Sequence, residues 1–231
     1  SLIDKGGLKK DGSDLLFTFG GISNKTTVGG NEGGKHSRYF SDRYGFNNPD
    51  SEWDSSKVEW VLIGDSFTHY SVKPGDEIAG QIRLLTNSAV INLGIIGNGP
   101  LVELGTLNEY AMPLRPSKVI WIYYENDLGN MRYELKVPIL MRYLQDNFSQ
   151  NLMSRQEEID RRLKNHIDRD KGPTLHKTRW MRLWKTRNML VSYRSKVSTS
   201  AKKNIDPLFG KILTEAKDRT DAWGGKLYFV Y

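Results

Sequence analysis

Two textures divide the chain. From Gly6 to Asp54 apolar residues follow neither a period of 2 nor one of 3.6, and Gly, Ser, Asn and Asp recur. That segment reads as an irregular arm ending in a turn-rich lead-in, Asp42 to Pro49. From Val58 onward, short apolar runs alternate with helical spacing. Val58–Ile63, Ala89–Leu93 and Lys118–Tyr124 are short and rich in β-branched and aromatic residues, as buried parallel strands are. Between them, about Asp76–Leu85 and Leu101–Leu114 carry helical spacing, the second stopped by Pro116. Strand, helix, strand, helix, strand predicts a parallel α/β sheet. Beyond Asn130 helical spacing persists through Tyr133–Phe148, Gln150–Ile167 and Trp180–Tyr193, broken at Lys171-Gly172-Pro173. A return helix follows at about Pro207–Trp223, and Gly224–Tyr231 opens a fourth strand. This is too much helix for one crossover. The expected organisation is an N-terminal arm over 1–57 and an α/β domain over 58–231 that carries a helical insertion at about 131–204.

Composition narrows the classes. The 231 residues are 38% hydrophobic and 26% charged, which excludes wholesale disorder and a fibrous fold and allows one sizeable core. Cysteine is absent, so disulfides, a thiolate nucleophile and cysteine-ligated metal sites are excluded. The longest apolar runs fall far short of a bilayer span, and no signal-peptide pattern opens the sequence. It starts at Ser1 and stops inside an apolar run, so both ends are expected to be cut from something longer. The net charge of +7 is concentrated: Arg155 to Lys203 holds fifteen Lys or Arg against five Asp or Glu, which leaves the remainder at −3. A solvated helical face is the plain reading; contact with phosphates, an anionic membrane surface or an acidic polymer is the sharper one. Trp180, Met181 and Trp184 are spaced as core packing. Interleaved with Arg179, Arg182, Lys185 and Arg187, they also suit a saccharide platform or a face toward a membrane partner, with little support for nucleic acid.

Candidate chemistry gathers where the strands end. Gly64-Asp65-Ser66 follows the first strand, the loop holding Gly97 follows the second, and Glu125-Asn126-Asp127 follows the third. In an open α/β sheet ligands bind outside the carboxyl ends of the strands. A serine hydroxyl there can attack an ester carbonyl, while the Ser66 and Gly97 N–H groups and the Asn126 amide can stabilise the oxyanion. Asp65 reads mainly as a brace for loop amides and Asp127 as a brace for the turn that aims Asn126. The spacing of Gly94, Gly97 and Gly99 is not a dinucleotide fingerprint, and neither a phosphate loop nor a metal-spaced cluster occurs, so neither a cofactor nor a metal is expected.

The Gly64-Asp65-Ser66 tripeptide, the Asn92–Gly97 loop and the Tyr124–Asp127 turn, in that order, resemble the first three motif blocks of the SGNH/GDSL hydrolase superfamily. The resemblance covers roughly Val58 to Asn130. It implies a three-layer, flavodoxin-like α/β/α domain, Ser66 as nucleophile, and Gly97 and Asn126 in the oxyanion hole. The runs Tyr44–Pro49, Asn98–Leu101 and Tyr124–Leu128 are similar to a bacterial branch associated with exopolysaccharide and cell-envelope acyl modification. That branch implies an ester substrate such as an acetylated polysaccharide, a membrane-associated polysaccharide machinery as partner, and an extracytoplasmic setting.

Two departures stand out. Tyr124 occupies the usual glycine position of the third block, and the family's Asp-x-x-His block has no match here. Family topology places that block beyond Tyr231, so omission is the expected explanation. Of the histidines present, His69 is expected at a pocket rim or surface, and His36, His166 and His176 in solvated positions. The function expected is a serine esterase working through an acyl-enzyme. An O-acetyltransferase and a non-catalytic polysaccharide-binding module are the alternatives.

Overall fold

The computed structural model describes residues 15–32, 35–69, 75–145, 148–170 and 206–231. The region 171–205, which holds His176, Trp180, Trp184 and most of the basic stretch, lies outside them. Four strands form a parallel sheet: β3 (Trp60–Gly64), β4 (Val90–Asn92), β5 (Lys118–Ile122) and β6 (Lys226–Val230). Their spatial order is β4-β3-β5-β6, the order 2-1-3-4 among the parallel strands. The direction of winding reverses between β3 and β5, so the crevice of the sheet opens between their carboxyl ends.

The alternating side chains of these strands face two different cores. Val61, Ile63, Ile91, Val119 and Trp121 join the main core. There they meet Leu101 and Leu104 of α3 (Pro100–Thr106) and Phe209, Ile212 and Ala216 of α8 (Pro207–Ala222). Leu62 and Val90 point the other way, onto Ala79 and Ile82 of α2 (Ile78–Thr86). The sheet is thus covered by helices on both faces, as parallel sheets require. Chain order places the short helix α1 (Ser66–His69) directly after β3, the single turn α4 (Met112–Leu114) before β5, and α5 (Asp127–Glu134) after β5.

The structure departs from the sequence reading in two places. The segment read as an irregular arm contains an antiparallel hairpin, β1 (Thr26–Glu32) and β2 (Lys35–Phe40), and buries Leu16, Phe17, Phe19, Phe46 and Trp53 in the main core. Its lead-in is organised by the buried Asp42 carboxylate, which accepts from the Tyr44 and Phe46 N–H groups, the Asn48 amide and the Trp53 indole. The helix expected from Tyr133 to Phe148 is instead the end of α5, then α6 (Pro138–Met141) and a 3-10 turn, Arg142–Leu144, because Pro138 cannot continue a helix but can start one. The described half of the basic stretch, α7 (Gln156–Asp170), buries Ile159 and Leu163 in the main core and pairs Arg155 and Arg162 with Glu158. No helix among the described residues is long and apolar enough to cross a membrane.

Candidate active site

Strand β3 delivers Gly64, Asp65 and Ser66 to the crevice. Asp65 is buried, and its carboxylate organises two of the three strand-end loops. Oδ1 accepts the Phe67 N–H at 3.1 Å, and Oδ2 accepts both the Ser66 hydroxyl at 3.3 Å and the Asn126 side-chain amide at 3.2 Å. Sharing one oxygen brings Ser66 and Asn126 together although sixty residues separate them. Asp65 was read mainly as a brace for loop amides; it holds the side chains of both candidate groups as well.

The second loop comes in beside β3. The Ile95 N–H donates to the Gly64 carbonyl at 3.3 Å, and Asn98 N–H closes a turn onto the Ile95 carbonyl at 3.2 Å. Gly97, at φ +81°, occupies the left-handed region that this turn requires and that glycine adopts without strain. Among the described residues, neither the Ser66 N–H nor the Gly97 N–H donates a hydrogen bond.

The third loop is closed by Asp127, whose Oδ2 accepts the Tyr124 N–H at 2.8 Å. Tyr124 needs no left-handed backbone. Its exposed ring lies against the exposed ring of Phe67, with centroids 4.5 Å apart and the planes tilted by 40°. An aromatic pair thus joins the residue after Ser66 to the loop that carries Asn126.

Beneath this rim lies a group of buried acids. Burial pushes Asp127 and Glu134 up to about 7. Glu103, enclosed in the main core beside Asp127 and Glu134, is raised well above the usual carboxylate range, and its Oε2 accepts the Trp121 indole N–H at 2.6 Å. Sequence reasoning missed Glu103 and Glu134, as well as Asn130, whose amide donates to the Asn98 carbonyl at 3.0 Å. The available signal was the spacing of Asn126, Asn130 and Glu134, four residues apart along one helix.

The histidines do not complete a triad among the described residues. His69 was expected at a rim or surface. Its side chain is instead buried, with Nδ1 2.7 Å from the Gly94 carbonyl and its ring edge-on to Tyr39, at the wall of a cavity of about 510 Å³ beneath the hairpin. That burial lowers its pKa, so the ring is held neutral. His36 lies on β2 and His166 on α7. The hydrogen bond that the Ser66 hydroxyl makes to the described residues goes to Asp65. No group of three or more His, Asp or Glu among the described residues can hold a metal ion. No protein-family model, no curated protein and no solved structure gives a significant match to this chain.

Proposed function

We propose that this is an SGNH-type serine esterase with a three-layer, flavodoxin-like α/β/α fold, acting on acyl esters such as those of an acetylated polysaccharide. The observation that carries the reading is the Asp65 carboxylate. It fixes Ser66 and Asn126 against each other at the point where the sheet reverses its winding, with the Ser66 and Gly97 N–H groups, which donate to none of the described residues, in the neighbouring loops.

In this scheme the Ser66 oxygen attacks the ester carbonyl and loses its proton to a general base. The carbonyl oxygen becomes an oxyanion held by the Ser66 N–H, the Gly97 N–H and the Asn126 amide. Collapse expels the alcohol, which takes the proton back, and leaves an acyl group on Ser66. Water then releases the acid. If a sugar hydroxyl takes the acyl group in place of water, the same site is an O-acetyltransferase. The base is a histidine supplied from outside the described residues, in the manner of the family's Asp-x-x-His block. Association with envelope polysaccharide machinery and an extracytoplasmic setting belong to the same proposal.

A fluorophosphonate probe applied to the full-length protein tests it. Ser66 is expected to be labelled and the Ser66→Ala variant to be silent. Labelling that is absent, or equal in the two proteins, overturns the catalytic reading and leaves a polysaccharide-binding module.

A further inference from the structure

From one face, helix α5 and its cap reach the first two strand-end loops. At its N-terminal boundary Asn126 bonds Asp65 of the first loop; one turn on, Asn130 bonds the Asn98 carbonyl of the second. A turn further, the Glu134 carboxylate accepts the Gly99 N–H at 2.7 Å through Oε1 and the Leu101 N–H at 3.0 Å through Oε2. Gly99 and Leu101 begin α3, whose first N–H groups have no partner within their own helix. Glu134 thus caps α3 from a neighbouring helix. The two helices approach so closely that a Cβ on Gly99 would stand 2.9 Å from Glu134 Oε1, Asn130 Cβ and the Met131 nitrogen. A side chain at position 99 would push α5 away from the loop.

We infer that Glu134 is a positioning residue: ionised, it clamps the Gly97 turn to the helix that begins at Asn126, and protonated, it lets that turn loosen. A carboxylate satisfies two N–H donors with two equivalent oxygens. A carboxylic acid keeps one good acceptor, and its hydroxyl oxygen is a poor second. Burial raises the Glu134 carboxyl most, the Gly99, Leu101 and Val102 N–H groups lower it, and the Asp127 charge on α5 raises it further; Glu103 on α3 is the other acid facing it. Among the described residues no Lys or Arg pairs with Glu134. Its titration near neutrality makes the clamp responsive in the physiological range. The inference rests on Ser66, Gly97 and Asn126 forming one site, but the clamp can be read without any catalysis.

Amide hydrogen exchange of the whole chain at about pH 5.5 and about pH 8.5, corrected for the intrinsic rates, is the test. The Gly99 and Leu101 amides are expected to be about tenfold less protected at the lower pH, while strand amides such as that of Ile63 do not follow. In Glu134→Gln, which offers one oxygen in place of two, both amides are expected to be weakly protected at both pH values. Protection that does not change with pH in the native protein overturns the inference, as does a folded Glu134→Gln that behaves like the native protein. If that variant fails to fold, the native pH series decides alone. Fluorophosphonate labelling run beside it separates the two claims. An unlabelled Ser66 with pH-sensitive amides sinks the esterase and keeps the clamp; a labelled Ser66 whose rate and amides ignore Glu134→Gln sinks the clamp and keeps the esterase.

Discussion

Asp65 has one buried carboxylate and three donors to satisfy, the Ser66 hydroxyl, the Phe67 N–H and the Asn126 amide. Replacing it with Ala strands the Phe67 N–H at the start of α1 and frees Asn126 to turn away. Asp65→Ala is expected to cost about 2 kcal/mol of stability and to slow Ser66 labelling about tenfold. Asp65→Asn, which keeps the shape and loses one acceptor, should fall between. Thermal melts and labelling rates on the same samples check both. Phe67 is the contrast. It is 56% exposed, and its recorded ring contact is Tyr124. Phe67→Ala is expected to change stability by less than about 1 kcal/mol, so a larger loss would show that the aromatic pair supports the fold.

At the scale of elements, the run from α3 to Leu114 widens into a π turn at Leu107–Ala111 just before Pro113, which has no N–H to return to the Glu109 carbonyl. Glu109, in that turn, accepts from the Tyr143 hydroxyl, the Ser149 hydroxyl, the Gln150 N–H and the Leu152 N–H. It joins α3 to the segment leading into α7. Glu109→Ala leaves four donors without their acceptor and is expected to cost about 3 kcal/mol or more; urea unfolding measures it, and a loss under about 1 kcal/mol would show the junction held by packing alone. The sequence makes β3, β4, β5 and α2 legible because buried strands and amphipathic helices have a period. It hides the β1–β2 hairpin, whose Gly, Asn and Lys residues carry no alternation, since the backbone pairing of the two strands with each other leaves no mark on residue type. Ser66, Gly97 and Asn126 are legible from their place at strand ends. Glu134 leaves only its four-residue spacing from Asn130, because its partners lie more than thirty residues away and are backbone amides, which leave no mark on residue type.

Over the whole molecule the buried acids set how stability depends on pH. Carboxylates ionise near pH 4 in the unfolded chain, whereas Asp127 and Glu134 do so at about 7 in the native state. Between those values the native state holds more protons, so stability falls as pH rises through the interval and levels off above it. Each pKa unit is worth about 1.4 kcal/mol, and because part of the Glu134 shift comes from the Asp127 charge, about 3 kcal/mol in total is expected rather than the full sum. Carboxylates held low act elsewhere: Glu59, at about 2 beside Lys118 and Lys57, and Asp50, lowered by Arg43, lose their contribution only as pH drops below about 4. The midpoint of urea unfolding should therefore be higher at about pH 5.5 than at about pH 8.5, with Glu134→Gln removing roughly half of the difference. A midpoint that is flat or rises with pH would show these acids ionised in the native state well below 7. The Glu134 clamp has the opposite sign, since protonation that favours the native state loosens the Gly99 and Leu101 amides. A protein that becomes globally more stable and locally looser at the same acid pH is a signature that a purely structural Glu134 does not produce.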